Sequence, residues 1–199
     1  MPKALLLQLD GKLPNVALMR VAAHHKALGD TVELRHAPNM RSVETLWDGA
    51  PEHVYASLIF DWSKPIAERV LAIWPHARVG GTGWSLSSNL EDIGITAAKQ
   101  DYAIYPKFRS SIGFTQRGCR LKCSFCVVPA KEGAVRGEQT IGDLWRGGTH
   151  PKEILLLDND FFGQSDWRAR VEELRAGGFK VSFSQGINVR QIDEESAAA

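Results

Sequence analysis

Three cysteines, Cys119, Cys123 and Cys126, are the only cysteines of the chain, and all fall within eight consecutive residues. Their spacing is C-x3-C-x2-C, close enough for one loop to wrap three thiolates around a small inorganic centre. Gly118 gives the backbone freedom to turn in, and Arg117, Arg120 and Lys122 place positive charge that favours thiolate over thiol. No distant cysteine is present for pairing, so a secreted disulfide framework is excluded. Structural zinc takes four protein ligands in a closed tetrahedron, usually as paired knuckles. Here one group of three stands alone, and the nearest following histidine is His150. An iron–sulfur cubane can be held by three cysteines with its fourth iron left for another ligand. Three protein ligands and one open position make a catalytic arrangement.

A second polar group follows the apolar run Leu155-Leu156-Leu157 as Asp158-Asn159-Asp160. Such residues cap turns readily. The following helical stretch begins only near Asp166, too far downstream to need that cap, so a ligand role is the expectation. A third group, Gln185, Asn188 and Arg190, surrounds Gly186. His24 and His25 are neighbours on a helical stretch, about 100° apart, and cannot chelate one metal together. They read as one rim and one partly buried histidine.

The triad, with aromatic Phe125 directly before its last cysteine, resembles the signature of the radical S-adenosylmethionine (radical SAM) superfamily. Ile112-Gly113-Phe114-Thr115-Gln116-Arg117-Gly118-Cys119 is similar to the first barrel strand and its exit. Leu155-Leu156-Leu157-Asp158-Asn159-Asp160-Phe161 is similar to the second. Phe183-Ser184-Gln185-Gly186-Ile187-Asn188-Val189-Arg190 resembles the third, as it stands in relatives with a cobalamin-binding-like N-terminal domain.

The resemblance implies a 4Fe–4S cluster on Cys119, Cys123 and Cys126, with the unique iron chelated by S-adenosylmethionine. One electron, from a flavodoxin- or ferredoxin-like donor, would cleave the cofactor into methionine and a 5′-deoxyadenosyl radical that abstracts hydrogen from a substrate the sequence does not name. The cofactors carry that chemistry, and the protein positions them and excludes water. In this reading Asp158, Asn159 and Asp160 meet the cofactor's amino group, and Phe125 packs near its adenine unless it is a plain core aromatic. Arg190 reaches the carboxylate or ribose hydroxyls, for which a guanidinium fork is suited, unless it forms a surface salt bridge. Gln185 and Asn188 are further candidates. The rival readings are a non-catalytic iron–sulfur or zinc-binding module and a degenerate radical SAM fold.

Two departures narrow the reading. Relatives that ligate cobalt carry a D-x-H-x-x-G loop, whereas this chain has Asp10-Gly11-Lys12-Leu13-Pro14, which argues against cobalamin. Methylthio-transferring members carry further cysteines before the triad; here there are none, which excludes that subclass.

The elements that must position these residues follow from periodicity. Lys3–Leu9 is an apolar run of strand length. A helix opens at Pro14-Asn15, with Leu18, Val21, Ala22, His25 and Leu28 at helical spacing and Gly29 where a C-terminal cap belongs. Strands are expected at Thr31–His36, His53–Phe60 and Ala77–Gly80, a short helix at Ser42–Trp47, and a second long helix from Ser63-Lys64-Pro65 to Trp74, stopped by Pro75. Alternating strands and helices imply a Rossmann-like parallel sheet over residues 1–100. Its ligand loops would be Asp10–Pro14, Asp61–Lys64 and Gly80–Trp84. No G-x-G-x-x-G or P-loop occurs, and Gly80-Gly81-Thr82-Gly83 marks either a close backbone approach or only a turn.

Residues 101–110 read as a linker, with a short strand as the alternative for Asp101–Tyr105. From 111 to 199 strands are expected at Ser111–Gln116, Glu153–Leu157 and Lys180–Gln185. Helices are expected at Asp166–Ala176, closed by Gly177-Gly178, and from Ile192. This is the first half of a radical SAM partial (β/α) barrel, a fragment or a chain completed by a partner copy, since the third strand lacks an outer neighbour. The expected fold class is therefore α/β.

Composition agrees with an ordinary globular protein: 44% hydrophobic and 24% charged over 199 residues. The net charge of +1 supplies no field for nucleic acid or anionic membrane. No apolar run approaches the roughly 20 residues of a membrane helix, and the N-terminus lacks a signal-peptide pattern. The expected location is cytoplasmic.

Overall fold

The computed structural model describes residues 1–44, 50–96, 99–185 and 187–197. The chain forms two compact units, Met1–Phe108 and Arg109–Ala199. Both are α/β with parallel sheets, as the alternation of elements predicts.

In the first unit β1 (Lys3–Gln8), β2 (Thr31–His36), β3 (His53–Ser57) and β4 (Arg78–Gly80) form a parallel sheet in the order β2-β1-β3-β4. Helices α1 (Val16–Ala27), α2 (Met40–Glu44) and α3 (Lys64–Ile73) connect them. Successive side chains of a strand point to opposite faces, and β1 is apolar on both. Leu5, Leu7 and Leu9 join Val54, Leu58, Ala67, Val70 and Trp74 in one core layer. Leu6 joins Leu18, Val21, Ala22, Tyr55 and Ile95 in the other. A central parallel strand covered on both sides needs this uninterrupted run.

Asn15 caps α1 by accepting from the Leu18 N–H at 3.1 Å, and Gly29 past its end takes φ +85°. The short helix expected at Ser42–Trp47 spans Met40–Glu44, and residues 45–49 lie outside the described ones. The third strand ends at Ser57 instead of Phe60, because the Asp10 carboxylate takes the N–H groups of Ile59 and Phe60 at 2.7 and 3.0 Å. The glycine turn after β4 is a close backbone approach, but to the chain itself. A Cβ on Gly81 would sit 2.1 Å from the Leu58 carbonyl oxygen, and one on Gly83 2.5 Å from the Phe60 backbone.

Residues 101–108 pack on this unit. Tyr102–Ile104 is a 3-10 turn rather than a strand, and it aims Tyr105 inward. The Tyr105 hydroxyl donates to Gln8 Oε1 at 2.6 Å and accepts from the Asn15 N–H at 3.1 Å. Gln8, the polar end of β1, donates from Nε2 to the carbonyls of Asp10, Gly11 and Leu13.

The second unit runs β5 (Ser111–Gly113), β6 (Gln116–Arg117), α4 (Val128–Glu132), β7 (Arg136–Gly137), α5 (Ile141–Leu144), β8 (Glu153–Leu156), α6 (Trp167–Gly177), β9 (Lys180–Phe183) and α7 (Glu194–Ala197). Strands β5, β8 and β9 form a parallel sheet in that order, and β6 pairs antiparallel with β7. The core gathers Ile141, Leu144, Ile154, Leu156, Phe161, Phe162, Trp167, Val171 and Leu174. The single strand expected at Ser111–Gln116 is thus two, broken at Phe114-Thr115. The strand expected to reach Gln185 ends at Phe183. Helix α6 closes at Gly178, left-handed with φ +64°. Helix α7 starts at Glu194, directly after Asp193, whose carboxylate accepts from the Ser196 N–H at 2.8 Å while Ser196 Oγ accepts from the Asp193 N–H at 2.8 Å. Among the described residues no helix is long and apolar enough to cross a membrane.

Candidate metal centre

The three cysteines lie on the loop between β6 and α4, all as free thiols, with Cys119 and Cys126 half-buried and Cys123 exposed. A tight turn closes the last two, the Cys126 N–H donating to the Cys123 carbonyl at 3.0 Å. The Leu121 N–H points at Cys119 Sγ at 3.4 Å. Among the described residues the group of metal-capable side chains whose ligand atoms all lie within 4.8 Å of one another is His25, Asp30 and His53, in the first unit. The donor set of the loop is three soft sulfurs without a fourth, which suits a cluster with sulfurs on separate irons.

The base of the loop is fastened by one carboxylate. Glu132, the last residue of α4, accepts from the Gly118 N–H at 2.8 Å, from Arg117 Nη1 at 3.0 Å and from Asn159 Nδ2 at 3.0 Å. Gly118 has φ +80°, and a Cβ there would lie 2.4 Å from the Ala134 carbonyl oxygen. Only glycine serves both the conformation and the space. Arg117 also lies over the Phe114 ring at 3.5 Å.

Two of the three cations expected to favour thiolates are engaged elsewhere. Arg117 pairs with Glu132, and Arg120 Nε donates to Asp160 Oδ2 at 2.8 Å. Burial pushes the Cys119 thiol above its ordinary value, the Leu121 N–H pulls the other way, and Asp160 and the other two sulfurs add to the rise. Metal binding, which requires thiolate, would therefore release a proton here.

Asp158, Asn159 and Asp160 follow β8 and take three different roles. Asp158 is fully buried. Its Oδ1 accepts from the N–H groups of Thr115 and Gln116 at 2.8 and 3.4 Å, and its Oδ2 accepts from the Thr115 hydroxyl. That carboxylate breaks β5 from β6 and aims the chain toward the cysteines. Burial raises its pKa to about 6, against these hydrogen bonds. Its described contacts run back to Thr115 and Gln116, not to the following turn that a cap would serve. Asn159 ties β8 to Glu132.

Asp160 is 1% exposed, with Oδ2 on Arg120 and Oδ1 without a partner. Its carbonyl accepts from Gln116 Nε2 at 2.7 Å, and Gln164 Nε2 donates to Thr115 Oγ1 at 3.3 Å. The Oε1 atoms of Gln116 and Gln164 are likewise buried and unpartnered. This connected cluster beyond the carboxyl ends of β5 and β8 holds three acceptors short of a donor, and unsatisfied buried polar groups are costly. It fits a ligand that brings N–H groups. Gly163 closes over it: a Cβ there would meet Asp160 Oδ2 at 2.0 Å and Arg120 Nε at 2.5 Å.

The other sequence candidates are not joined to this cluster by a described hydrogen bond. Phe125 is 90% exposed and is no core aromatic. Gln185 and Arg190 are exposed. Asn188 closes its own turn, accepting the N–H groups of Arg190 and Gln191 at 3.1 and 2.9 Å. Glu132, Gln116 and Gln164 carried no sequence signal, because their partners lie 14 to 49 residues away. Arg120 stood out only as a charge beside Cys119.

Over 67 residues the chain is 37% identical to a CDK5RAP1-like protein of Oryza sativa subsp. japonica, a stretch covering 31% of this chain and 11% of that protein. The chain thus matches about a tenth of that relative's length. No family model and no solved structure matches the chain.

Proposed function

We propose that the second unit is the cofactor-binding part of a radical SAM iron–sulfur enzyme. Cys119, Cys123 and Cys126 hold a 4Fe–4S cluster, and the donor-poor cluster of Asp160, Gln116 and Gln164 accepts the amino group of S-adenosylmethionine. The observation that carries this reading is the pairing of three free thiols on one loop with buried acceptors that lack donors, beyond the carboxyl ends of a parallel sheet. The CDK5RAP1-like relative belongs to the radical SAM family, which is loosely compatible with the reading.

Bound there with one electron from a flavodoxin- or ferredoxin-like donor, the cluster and cofactor would supply methionine and a 5′-deoxyadenosyl radical for hydrogen abstraction. The chain's own residues do the positioning. Glu132 holds the base of the cysteine loop, Asp158 sets its direction, and the Arg120–Asp160 pair holds one carboxylate oxygen toward Arg120 while the other stays free for a donor. Anaerobic reconstitution, iron and sulfide analysis, and chromatography after reduction with S-adenosylmethionine test the reading. The expected result is four irons per chain and 5′-deoxyadenosine above the no-cluster control. Zinc in place of iron, or a brown protein that leaves the cofactor intact under reduction, would sink it in favour of a non-catalytic module.

A further inference from the structure

The amino edge of the first sheet carries a separate group of ligating side chains. His25 sits in the last turn of α1, Asp30 immediately before β2, and His53 opens β3. One ligand atom from each lies within 4.8 Å of the other two. His25 Nδ1 is 2.7 Å from Asp30 Oδ2, and the rings of His25 and His53 stand 4.8 Å apart between centroids. The Asp30 N–H donates to the His25 carbonyl at 3.0 Å, so the end of the helix fixes the pair. A capped helix end explains the two-residue contact, but it gives no reason for the third ring beside it.

Two features suit a metal ion. Zinc with bonds of about 2.0–2.2 Å to nitrogen and oxygen sets its ligand atoms roughly 3.4 Å apart, so the group closes on an ion by a modest movement. His53 can provide it, because it is exposed while His25 is 3% exposed. The second nitrogen of His25 already has an outer partner, the Tyr55 hydroxyl at 3.0 Å, as the far ring nitrogen of a ligating histidine usually does. His24 is excluded as a co-ligand by its direction on the helix. The other two ligands, Asp30 and His53, lie off the helix instead.

We propose that His25, Asp30 and His53 form a binding site for a first-row divalent metal ion of the zinc class, with Tyr55 orienting His25. Two imidazoles and one carboxylate select such an ion over calcium or magnesium, which prefer all-oxygen sites. Three protein ligands leave a coordination position for water on the exposed His53 side.

The test uses the full chain with Cys119→Ser, Cys123→Ser and Cys126→Ser, which removes the competing thiols. Titration with cobalt(II) should saturate at one equivalent, giving visible d–d bands without thiolate charge transfer, and zinc should bleach them. Adding His53→Ala, at an exposed position, should weaken binding by roughly tenfold or more with unchanged circular dichroism. If the triple serine variant fails to fold, the unaltered chain is compared with its His53→Ala form, and the thiolate-free cobalt spectrum should be lost from the second. No saturable thiolate-free binding, or binding indifferent to both His53→Ala and Asp30→Asn, overturns the proposal.

Discussion

Asn159 and Glu132 meet at 3.0 Å across 27 sequence positions, and the oxygen that Asn159 donates to also accepts the Gly118 N–H at 2.8 Å. The end of β8 and the start of the cysteine loop are therefore held by one atom. Glu132→Ala leaves three donors without their acceptor, Arg117 among them, which keeps only Glu138 at 4.0 Å as a carboxylate partner. The expected cost is about 1.5–3 kcal/mol for loss of hydrogen bonds to a charged group. Trypsin should cut faster at Arg120 and Lys122, and the protein should retain less iron after reconstitution. Cleavage at the unaltered rate would mean that the loop keeps its form without Glu132.

Asp158 makes stability depend on pH in a defined direction. Its folded pKa of about 6 lies above the 3.8 of an unfolded aspartate. The folded state therefore binds the extra proton between these values, and stability falls as pH rises through that window. The stabilisation is fully present below the unfolded value and is lost above about pH 6, an amount on the order of 3 kcal/mol. Asp158→Asn keeps an oxygen for the Thr115 and Gln116 N–H groups and cannot ionise. It should flatten this part of the pH–stability curve and melt no lower than the parent at pH 7. Asp158→Ala should instead lose about 1–3 kcal/mol, since it strands the Thr115 N–H. Denaturant midpoints from pH 4 to 7 separate the three proteins; identical slopes for parent and Asn variant would remove Asp158 as their cause.

Two glycines on either side of α4 give an internal control. Gly118 and Gly133 both have positive φ, +80° and +75°, but a Cβ on Gly133 meets nothing within 4 Å. Gly133→Ala should cost about 1–3 kcal/mol, the penalty of its φ +75°, ψ −148° backbone alone. Gly118→Ala adds a backbone clash at Ala134 and should cost clearly more, with the loss appearing in both melting temperature and iron content. Equal effects would show that the β6–β7 ribbon yields easily at Ala134.

What was legible in the sequence was local. Leu5, Leu6 and Leu7 announced a strand buried on both faces, Asn15 and Gly29 marked the ends of α1, and the C-x3-C-x2-C spacing carried its chemistry in eight residues. The break at Thr115 was illegible because it is made by Asp158, 43 residues later. The third strand's early end has the same kind of cause, as the Ile59 N–H goes to Asp10, 49 residues earlier. Glu132 reads in sequence as an ordinary helix-end carboxylate, and nothing local says that it holds the cysteine loop. Phe125 shows the opposite case: of its two readings, the plain core aromatic is excluded, because its ring is 90% exposed.

Asp160 offers the sharpest test of the cofactor reading, because its two oxygens do different things. Oδ2 is committed to Arg120, while buried Oδ1 has no donor. If Oδ1 receives the cofactor's amino group, Asp160→Asn should weaken S-adenosylmethionine binding while leaving four irons in place. A lost charge-assisted hydrogen bond of about 1.5–3 kcal/mol corresponds to roughly ten- to a hundredfold in affinity. Gly163→Ala provides a second route to the same outcome without changing charge, since its Cβ would fall 2.0 Å from Asp160 Oδ2 and push the carboxylate off Arg120. Calorimetry on the anaerobic, reconstituted protein reads both variants against the parent. Intact iron content with undiminished affinity in both would confine Asp160 to its pairing with Arg120 and move the amino-group site elsewhere.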